Sequence, residues 1–316
     1  MIPISVVIPT KDRAASLSRT LASLLAQAPL PAEIVIVDAS SDEQTRTMMD
    51  QLCQQSASGA TDLRWIRARS VGAASQRNEG IAMARHAFML FCDDDITLEP
   101  LCVQRLWAAL SADEKLGGVS ATVTNQVYGR PGRFSRLLFT ILHGRSEASF
   151  AGRVIGPALN LLPDDNPELP EIVATEWLNT GCTLYRREAL PVPPFDPLFT
   201  GYSLMEDLTM SLRVAQRWQI ANARLARIYH DSQPGEHKSN VRALAKMEFV
   251  NRYYVMTRIL GRHRLTDHLR FALLELFHVA NQLRSIAGVR SLPAFLCGKV
   301  AGVRTLKALP RIGGAV

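Results

Sequence analysis

The chain has 316 residues, 47% of them hydrophobic, which suffices for one large α/β domain, alone or with an appendage, and excludes a low-complexity or repeat protein. Its five cysteines are odd in number and lack metal-ligand spacing, so they argue against a disulfide framework and favour a reducing cytosol. We expect no signal peptide, and no uninterrupted apolar run reaches the roughly 18 residues expected of a membrane-spanning helix.

The formal net charge of +7 is unevenly distributed along the chain. Residues 241–316 hold 13 Lys and Arg against 3 acids, a net of +10, whereas residues 1–240 hold 23 against 26, a net of −3. Basic segments attract nucleic acid, anionic lipid or acidic substrates, but these arginines are interleaved with Leu, Phe, Tyr and Val. The pattern favours an amphipathic helix, lying either on an anionic membrane surface or against the main domain, and we expect no nucleic-acid partner.

The first part of the chain alternates short apolar runs with segments of helical spacing. The apolar runs predict strands at residues 4–8, 33–37, 63–68 and 87–92, and the spacing predicts helices at residues 16–28, 42–54, 75–85 and 99–110. Strands that alternate with helices in this way predict a doubly wound, mostly parallel α/β sheet.

After a strand predicted at residues 119–124 the alternation stops. Residues 126–172 are rich in Gly and Pro and predict a functional loop, a lid or a flexible segment. Residues 177–187 are strand-like again, and residues 205–216 predict a helix that opens with two acids. Helical spacing and positive charge dominate from about Val241, so we divide the chain into a domain at residues 1–240 and a basic helical extension at residues 241–316.

Three adjacent carboxylates, Asp93 to Asp95, follow the apolar run of residues 87–92. Like charges repel one another unless a cation or a hydroxyl-rich ligand compensates them. Because side chains alternate along a strand, Asp93 and Asp95 are predicted to point one way and Asp94 the other, beyond the carboxyl end of the strand, where open α/β sheets bind ligands. Taken alone, the cluster is equally consistent with a solvated turn that caps a helix starting near Leu98.

Seven short motifs follow one another along the chain. They are IPTKDR (8–13), VDASSD (37–42), QRNEG (76–80), CDDD (92–95), LNTGC (178–182) with Arg186, MEDL (205–208) and YH (229–230). In this order and spacing they closely resemble family 2 glycosyltransferases over roughly residues 1–235. The resemblance implies a GT-A, Rossmann-like fold, here with the basic helical extension at its C-terminus. It also implies a nucleotide-sugar donor, inverting transfer to an acceptor hydroxyl, and a bound divalent metal.

Specific residues match the positions that would serve this chemistry. A departing diphosphate needs a cation, and Mg²⁺ or Mn²⁺ prefers carboxylate ligands, so Asp95 is the first predicted metal ligand. Asp93 is predicted to bind the ribose or the metal's water shell. The resemblance adds His230 as a metal ligand, whose nitrogen would favour Mn²⁺. A lone His at a strand end is otherwise more often a polar surface residue.

The resemblance also places the base and the donor site. Asp207 matches the base that inverting transfer requires near the acceptor hydroxyl, and Glu206 would bind the acceptor or orient the site, although both acids could merely complement a helix dipole. The nucleotide side of the donor is assigned to residues on three loops or helix starts, namely Thr10, Asp12, Asp38, Arg77 and Asn78. The family often has a second acid after Asp38, where this chain has Ala39, so the nucleotide is left open among UDP, dTDP and GDP.

The sequence therefore predicts a glycosyltransferase of exopolysaccharide, lipopolysaccharide or glycolipid assembly, with a glycan or lipid-linked acceptor. It would be cytoplasmic, or peripheral at the inner face of the cell membrane. Two alternatives remain: a nucleotidyltransferase, which would need a Gly-rich basic loop that IPTKDR lacks, and a non-catalytic nucleotide-sugar-binding protein.

Overall fold

A computed structural model describes residues 1–55, 61–232 and 240–308 of the chain. They divide into two compact units. The sheet unit comprises Met1–Arg130, Ser149–Val154 and Asn160–Gln233, and the helical unit comprises Pro131–Ala148, Ile155–Leu159 and Pro234–Val316.

The strands of the described chain are β1 Ile2–Thr10, β2 Pro31–Asp38, β3 Asp62–Arg67, β4 Phe88–Cys92, β5 Ile96–Leu98, β6 Leu116–Val123, β7 Val154–Ile155, β8 Leu159–Asn160, β9 Ile172–Ala174, β10 Cys182–Arg186 and β11 Gln219–His230. The helices are α1 Ala14–Leu25, α2 Gln44–Gln55, α3 Ala73–Met83, α4 Cys102–Ala112, α5 Arg133–His143, α6 Glu206–Ala215, α7 Val241–Tyr254, α8 Leu265–Gln282 and α9 Ile286–Ala308.

A nine-stranded sheet organises the sheet unit, in the order β3-β2-β1-β4-β10-β6-β11-β5 with β9 also paired to β11. The pairs β1–β2, β1–β4, β2–β3 and β6–β11 are parallel, while β10 runs antiparallel between β4 and β6. Strands β1, β2 and β4 are buried along nearly their whole length, as expected for apolar strands covered on both faces. The predicted mostly parallel α/β sheet is confirmed.

Helix α3 approaches the sheet closely because of a glycine. A Cβ on Gly80 would overlap the side chain of Val7 in β1 and crowd Val37 in β2. The glycine therefore lets α3 rest directly on these two strands and carries Arg77 to the carboxyl edge of the sheet.

Two predicted boundaries are wrong. Strand β1 was expected to stop before Pro9 but continues to Thr10, because β4 pairs with β1 only as far as Val7 and Pro9 lies beyond that ladder. The helix expected from residue 99 begins at Cys102, and Ile96–Leu98 forms strand β5 instead, because it pairs with the end of β11.

The segment at residues 126–172 is less irregular than its glycines and prolines suggest. It contains α5, whose apolar residues Phe134, Leu137, Leu138, Ile141 and Leu142 have helical spacing. Its glycines bound the helix, since Gly132 precedes α5 and Gly144 ends it with a φ of 90°. The apolar spacing between the glycines and prolines is therefore the better predictor of helix α5.

The helical unit packs α9 on α7 and α5 on α8. A Cβ on Gly298 or Gly302 of α9 would overlap the backbone of Arg242 or the ring of Phe249 in α7, so these glycines allow close helix contact. Leu138 and Leu142 of α5 form a small core with Leu274 of α8. Ile286–Lys307 within α9 is long and apolar enough to cross a membrane by length and composition alone, although charged residues interrupt its apolar run and 22% of the apolar window is buried.

Candidate active site

The carboxyl ends of β1 and β4 bring Thr10 beside the aspartate cluster. These strands are parallel neighbours, so their ends lie at the same edge of the sheet. Thr10 Oγ1 donates to Asp94 Oδ2 at 2.7 Å, and Arg13 Nη1 lies 3.1 Å from Asp94 Oδ1 and 3.3 Å from Asp95 Oδ2. Asp94 is thus turned toward β1, and burial raises its pKa to about 6.

The pairing of β5 with the end of β11 brings His230, the last residue of β11, to the same cluster. The chain turns at Asp93 to Asp95 and returns as β5, which pairs with the last residues of β11 so that His230 lies opposite Ile96. The backbone N–H of Asp231 donates to the carbonyl of Asp95 at 2.8 Å. His230 Nε2 consequently lies 3.0 Å from Asp95 Oδ1.

Asp93, Asp95 and His230 form a group that could hold a metal ion. One ligand atom from each lies within 4.8 Å of the others. Two carboxylate oxygens with an imidazole nitrogen suit a divalent cation of the Mn²⁺ or Mg²⁺ kind. The side chains of Asp93 and His230 are 28% and 25% exposed, so a cation has access from solvent. Gln126 Nε2, 3.0 Å from His230 Nδ1, holds the ring from its other side.

Arg77 links this group to the acids of α6. Its guanidinium is buried and lies 2.6 Å from Asp93 Oδ1 through Nη2 and 2.7 Å from Glu206 Oε1 through Nη1. One fixed cation thus spans a predicted metal-site residue and the predicted acceptor-side acid. Its planar, permanently charged fork suits this bridging role better than a lysine would.

Glu206 and Asp207 occupy the first turn of α6, and their environment disfavours two charges. Burial, with the neighbouring charge of Asp207, raises the pKa of Glu206, while Arg77 opposes that rise. Burial also raises the pKa of Asp207 to about 6, although Asp207 accepts the backbone N–H of Leu208 at 2.6 Å. Glu206 is therefore the acid that holds a proton more readily, and Asp207, which keeps partial solvent exposure, is the one that ionises first.

The residues predicted on the nucleotide side lie on adjoining loops. Asp38 at the end of β2 pairs in register with Thr10 and accepts from Trp65 Nε1 at 3.1 Å. Asp12 accepts the backbone N–H of Ser41 at 2.8 Å, which ties the loop after β1 to the loop after β2. Lys11 and Ser41 lower the pKa of Asp12.

Asn78 is the one predicted donor-site residue whose amide is fully engaged elsewhere. Its Nδ2 donates to the carbonyl of Phe195 at 2.7 Å, and its Oδ1 accepts the N–H of Phe195 at 3.0 Å. Both polar atoms therefore hold the loop at Phe195 in place.

Sequence reasoning assigned no role to Arg13 or Tyr202. Arg13 lies within the IPTKDR motif, so a basic residue following β1 was an available signal. Tyr202 lies near the acids, since burial and the charges of Glu206 and Asp93 raise its pKa. Nothing in the sequence signalled this position, because the loop before α6 is placed only by the tertiary fold.

Arg77→Met is expected to destabilise the protein by about 3 kcal/mol, because it leaves Glu206 and Asp93 without their buried partner. This is the lower end of the usual range, since Asp93 is partly exposed. Urea denaturation measures the free energy of unfolding. The double variant Arg77→Met with Glu206→Gln should recover part of the loss. A single variant within about 0.5 kcal/mol of wild type would contradict this account.

Comparison with known proteins agrees with this geometry. Residues 5–153, which include β1, the aspartate cluster and Arg77, match the sequence model of glycosyl transferase family 2. Residues 5–153 therefore form a segment of family 2 glycosyltransferase type. The motifs that predicted it, from IPTKDR to CDDD, lie inside the matched segment.

Individual relatives extend the comparison. A hyaluronan synthase of Pasteurella multocida is 31% identical over 116 residues, which is 36% of this chain and only 11% of that synthase. A mannosyltransferase from Pyrobaculum calidifontis, solved with GDP-Man and Mn²⁺, has a TM-score of 0.56 at 15% identity, covering 99% of this chain and 76% of its own. GalNAc-T7, solved with UDP, GalNAc and Mn²⁺, has a TM-score of 0.55 at 16% identity, covering 85% and 54%. These likenesses confirm the predicted GT-A fold of the glycosyltransferase domain.

Proposed function

We propose that this protein transfers a sugar from a nucleotide-diphosphate sugar to an acceptor hydroxyl, with inversion and with a bound divalent metal. The observation that carries the proposal is the link through Arg77. One buried guanidinium joins a group of possible metal ligands to a pair of acids, of which Asp207 ionises before Glu206.

In this proposal Asp93, Asp95 and His230 hold the metal. When bound there, a divalent cation would neutralise the negative charge that develops on the diphosphate leaving group. The mannosyltransferase and GalNAc-T7 were both solved with Mn²⁺, which supports a divalent cation here. Arg13, within 3.3 Å of Asp95, and Gln126, at the far nitrogen of His230, orient two of the ligands.

Asp207 is proposed to accept the proton of the acceptor hydroxyl. Its raised pKa makes it a better proton acceptor than an ordinary aspartate while it still ionises near neutral pH. Glu206 is held by Arg77 and retains its proton more readily, so it suits binding of an acceptor hydroxyl rather than proton removal. Inversion follows when the base and the leaving group lie on opposite faces of the sugar.

Thr10, Asp12, Asp38 and Arg77 are proposed to shape the nucleotide side of the donor site. Asp38 and Thr10 end two adjacent strands, and Asp12 fixes the loop beside them. We revise the role of Asn78 to holding the loop at Phe195. These two proteins were solved with different nucleotides, GDP-Man and UDP, so the choice among UDP, dTDP and GDP is one for experiment.

The proposed setting is assembly of a polysaccharide or glycolipid. The acceptor would be a glycan or a lipid-linked glycan, and the protein would act in the cytoplasm at the inner face of the cell membrane. The partial match to a hyaluronan synthase, itself a polysaccharide-forming enzyme by name, supports this class.

Isothermal titration with a panel of UDP-, dTDP- and GDP-sugars tests the donor site. We expect one nucleotide class to bind in the presence of Mn²⁺ and to lose affinity in EDTA. Incubation of that donor with candidate acceptors should then release the nucleoside diphosphate. Release of pyrophosphate from a nucleotide and a sugar phosphate would instead indicate a nucleotidyltransferase. Donor binding without turnover on any acceptor tested would favour the non-catalytic alternative.

A further inference from the structure

Helix α8 of the helical unit exposes one continuous apolar stripe. Its exposed apolar positions follow one another at spacings of three or four residues, which places them on a single helix face. They are Leu265, Leu269, Ala272, Leu276, Ala280 and, just beyond the helix, Leu283. The opposite face is already packed, since Phe271 and Leu274 are buried. The stripe therefore stays exposed although α8 is already packed through its opposite face.

Helices α9 and α5 repeat this arrangement. The exposed stripe of α9 consists of Val289, Pro293, Leu296, Val300 and Val303. That of α5 consists of Phe134, Leu137 and Ile141, of which Phe134 is 73% exposed. The buried sides of both helices are occupied, α9 by α7 at Gly298 and Gly302, and α5 by α8 at Leu138 and Leu142. Three helices of one unit thus present apolar rows without a partner in the described chain.

The charges around these stripes are of one sign. Among the described residues of the helical unit, every exposed charged side chain is basic: Arg133, Arg136, Arg145, Arg242, Lys246, Arg258, Arg264, Arg284, Arg290, Arg304 and Lys307. The acids are drawn inward and paired with cations. Glu248 contacts Arg252 and Lys299, Glu275 contacts Lys299, Asp267 lies near Arg270, and Glu147 contacts Arg145.

We propose that the helical unit binds an anionic lipid membrane, with the stripes of α5, α8 and α9 inserted at the interface and the flanking arginines on lipid headgroups. Exposed apolar rows bordered by Arg and Lys are the pattern of helices that lie in the membrane plane. The all-basic exposed charge supplies the attraction to an anionic leaflet. The proposal adds α5, outside the C-terminal extension, to the membrane surface.

The packing of α9 favours lying at the interface over crossing the bilayer. Lys299 on its inner face lies 3.1 Å from Glu248 Oε2 of α7 and 2.8 Å from Glu275 Oε2 of α8, so ion pairs fix that face. These groups hold α9 against α7 and α8. Insertion of α9 alone would break the ion pairs and place charges in hydrocarbon.

Co-sedimentation of the full-length protein with vesicles tests the proposal. We expect strong binding to phosphatidylcholine vesicles containing phosphatidylglycerol, weak binding to phosphatidylcholine alone, and loss of binding at high salt. Leu269→Glu with Leu276→Glu should weaken binding at least about a hundredfold, since each leucine loses its apolar burial. Arg284→Gln with Arg290→Gln should weaken it roughly thirtyfold at low salt.

Matched controls lie on the sheet unit. Val192→Glu, at a side chain 92% exposed, and Lys115→Gln with Arg217→Gln, at two exposed bases, should leave vesicle binding unchanged. All variants should keep the circular dichroism spectrum, the melting temperature and the donor affinity of the wild type, which separates failure of this proposal from failure of the proposed enzymatic function.

Three results would overturn the proposal. The first is equal, salt-insensitive binding to neutral and anionic vesicles, or no vesicle binding at all. The second is a dimer that the Leu269→Glu and Leu276→Glu pair converts to monomer, which would make the face an interface between copies of the chain. The third is cellular membrane association that survives alkaline carbonate, which would indicate a spanning helix.

Discussion

Asp207→Asn is expected to lower kcat about a thousandfold while changing the Kd of the nucleotide-sugar less than about threefold. A positioned base contributes typically between a hundredfold and ten-thousandfold to a rate, and an amide cannot accept the acceptor proton. Asp207 accepts the backbone N–H of Leu208 and is not one of the three grouped metal ligands, so donor binding should persist. The measurement pairs steady-state release of the nucleoside diphosphate with titration of the donor in the presence of metal.

The pH dependence of the wild type gives the same prediction a second readout. Protonated Asp207 cannot act as base, so kcat should fall as the pH drops through its pKa, with the acid limb near pH 6 rather than near 4. Glu206→Gln is the matched control, because a group that already tends to be protonated loses little on becoming an amide. If Glu206→Gln abolished turnover while Asp207→Asn kept most of it, the two roles would have to be exchanged.

Asp95→Asn is expected to weaken Mn²⁺ binding at least about a hundredfold and to remove the metal-dependent part of donor binding. The substitution deletes a charged oxygen ligand, and it also removes the carboxylate that lies 3.0 Å from His230 Nε2. Titration of the protein with Mn²⁺ alone, and then with donor at saturating metal, measures both effects.

Asp94→Asn is the control for this variant. Asp94 belongs to the same cluster, but its carboxylate contacts Thr10 and Arg13 and it is not among the grouped ligand atoms. We expect the affinity for Mn²⁺ to change less than about threefold in this variant. Donor binding that is insensitive both to EDTA and to Asp95→Asn would show that the metal has no part in the donor site.

The sheet could be predicted because its signals are local. The runs at β1 and β2 are rich in Val and Ile, and the run at β4 is apolar throughout; each has strand length and is followed by helical spacing. The convergence of Asp93 and Asp95 agrees with the alternation of side chains along a strand, although both residues lie in the turn that follows β4. The ordered motifs predicted His230, Glu206 and Asp207 as site residues, and the structure brings all three to the carboxyl edge of the sheet.

What could not be predicted depends on contacts between distant segments. Strand β5 has only three residues and exists because β11 lies beside it, so the sequence alone predicts no strand at residues 96–98. Asn78 is of a residue type that can bind ligands. Only the folded position of Phe195 shows that its amide hydrogen-bonds to the backbone of that residue. The helical spacing of the apolar residues in α8 can be read from the sequence. The packing of α5 and α7 decides which face of α8 stays exposed.

The shared guanidinium of Arg77 implies thermodynamic linkage between its two carboxylate partners. A cation bound to Asp93 would weaken the interaction between Asp93 and Arg77. Arg77 would then stabilise the ionised form of Glu206 more strongly and lower the pKa of that acid. Metal uptake would then release a proton from an acid that is not a ligand. Because linkage is reciprocal, the affinity for metal should rise with pH through the titration of Glu206. Arg77 thus makes occupancy at one end of the site and protonation at the other a single heterotropic equilibrium.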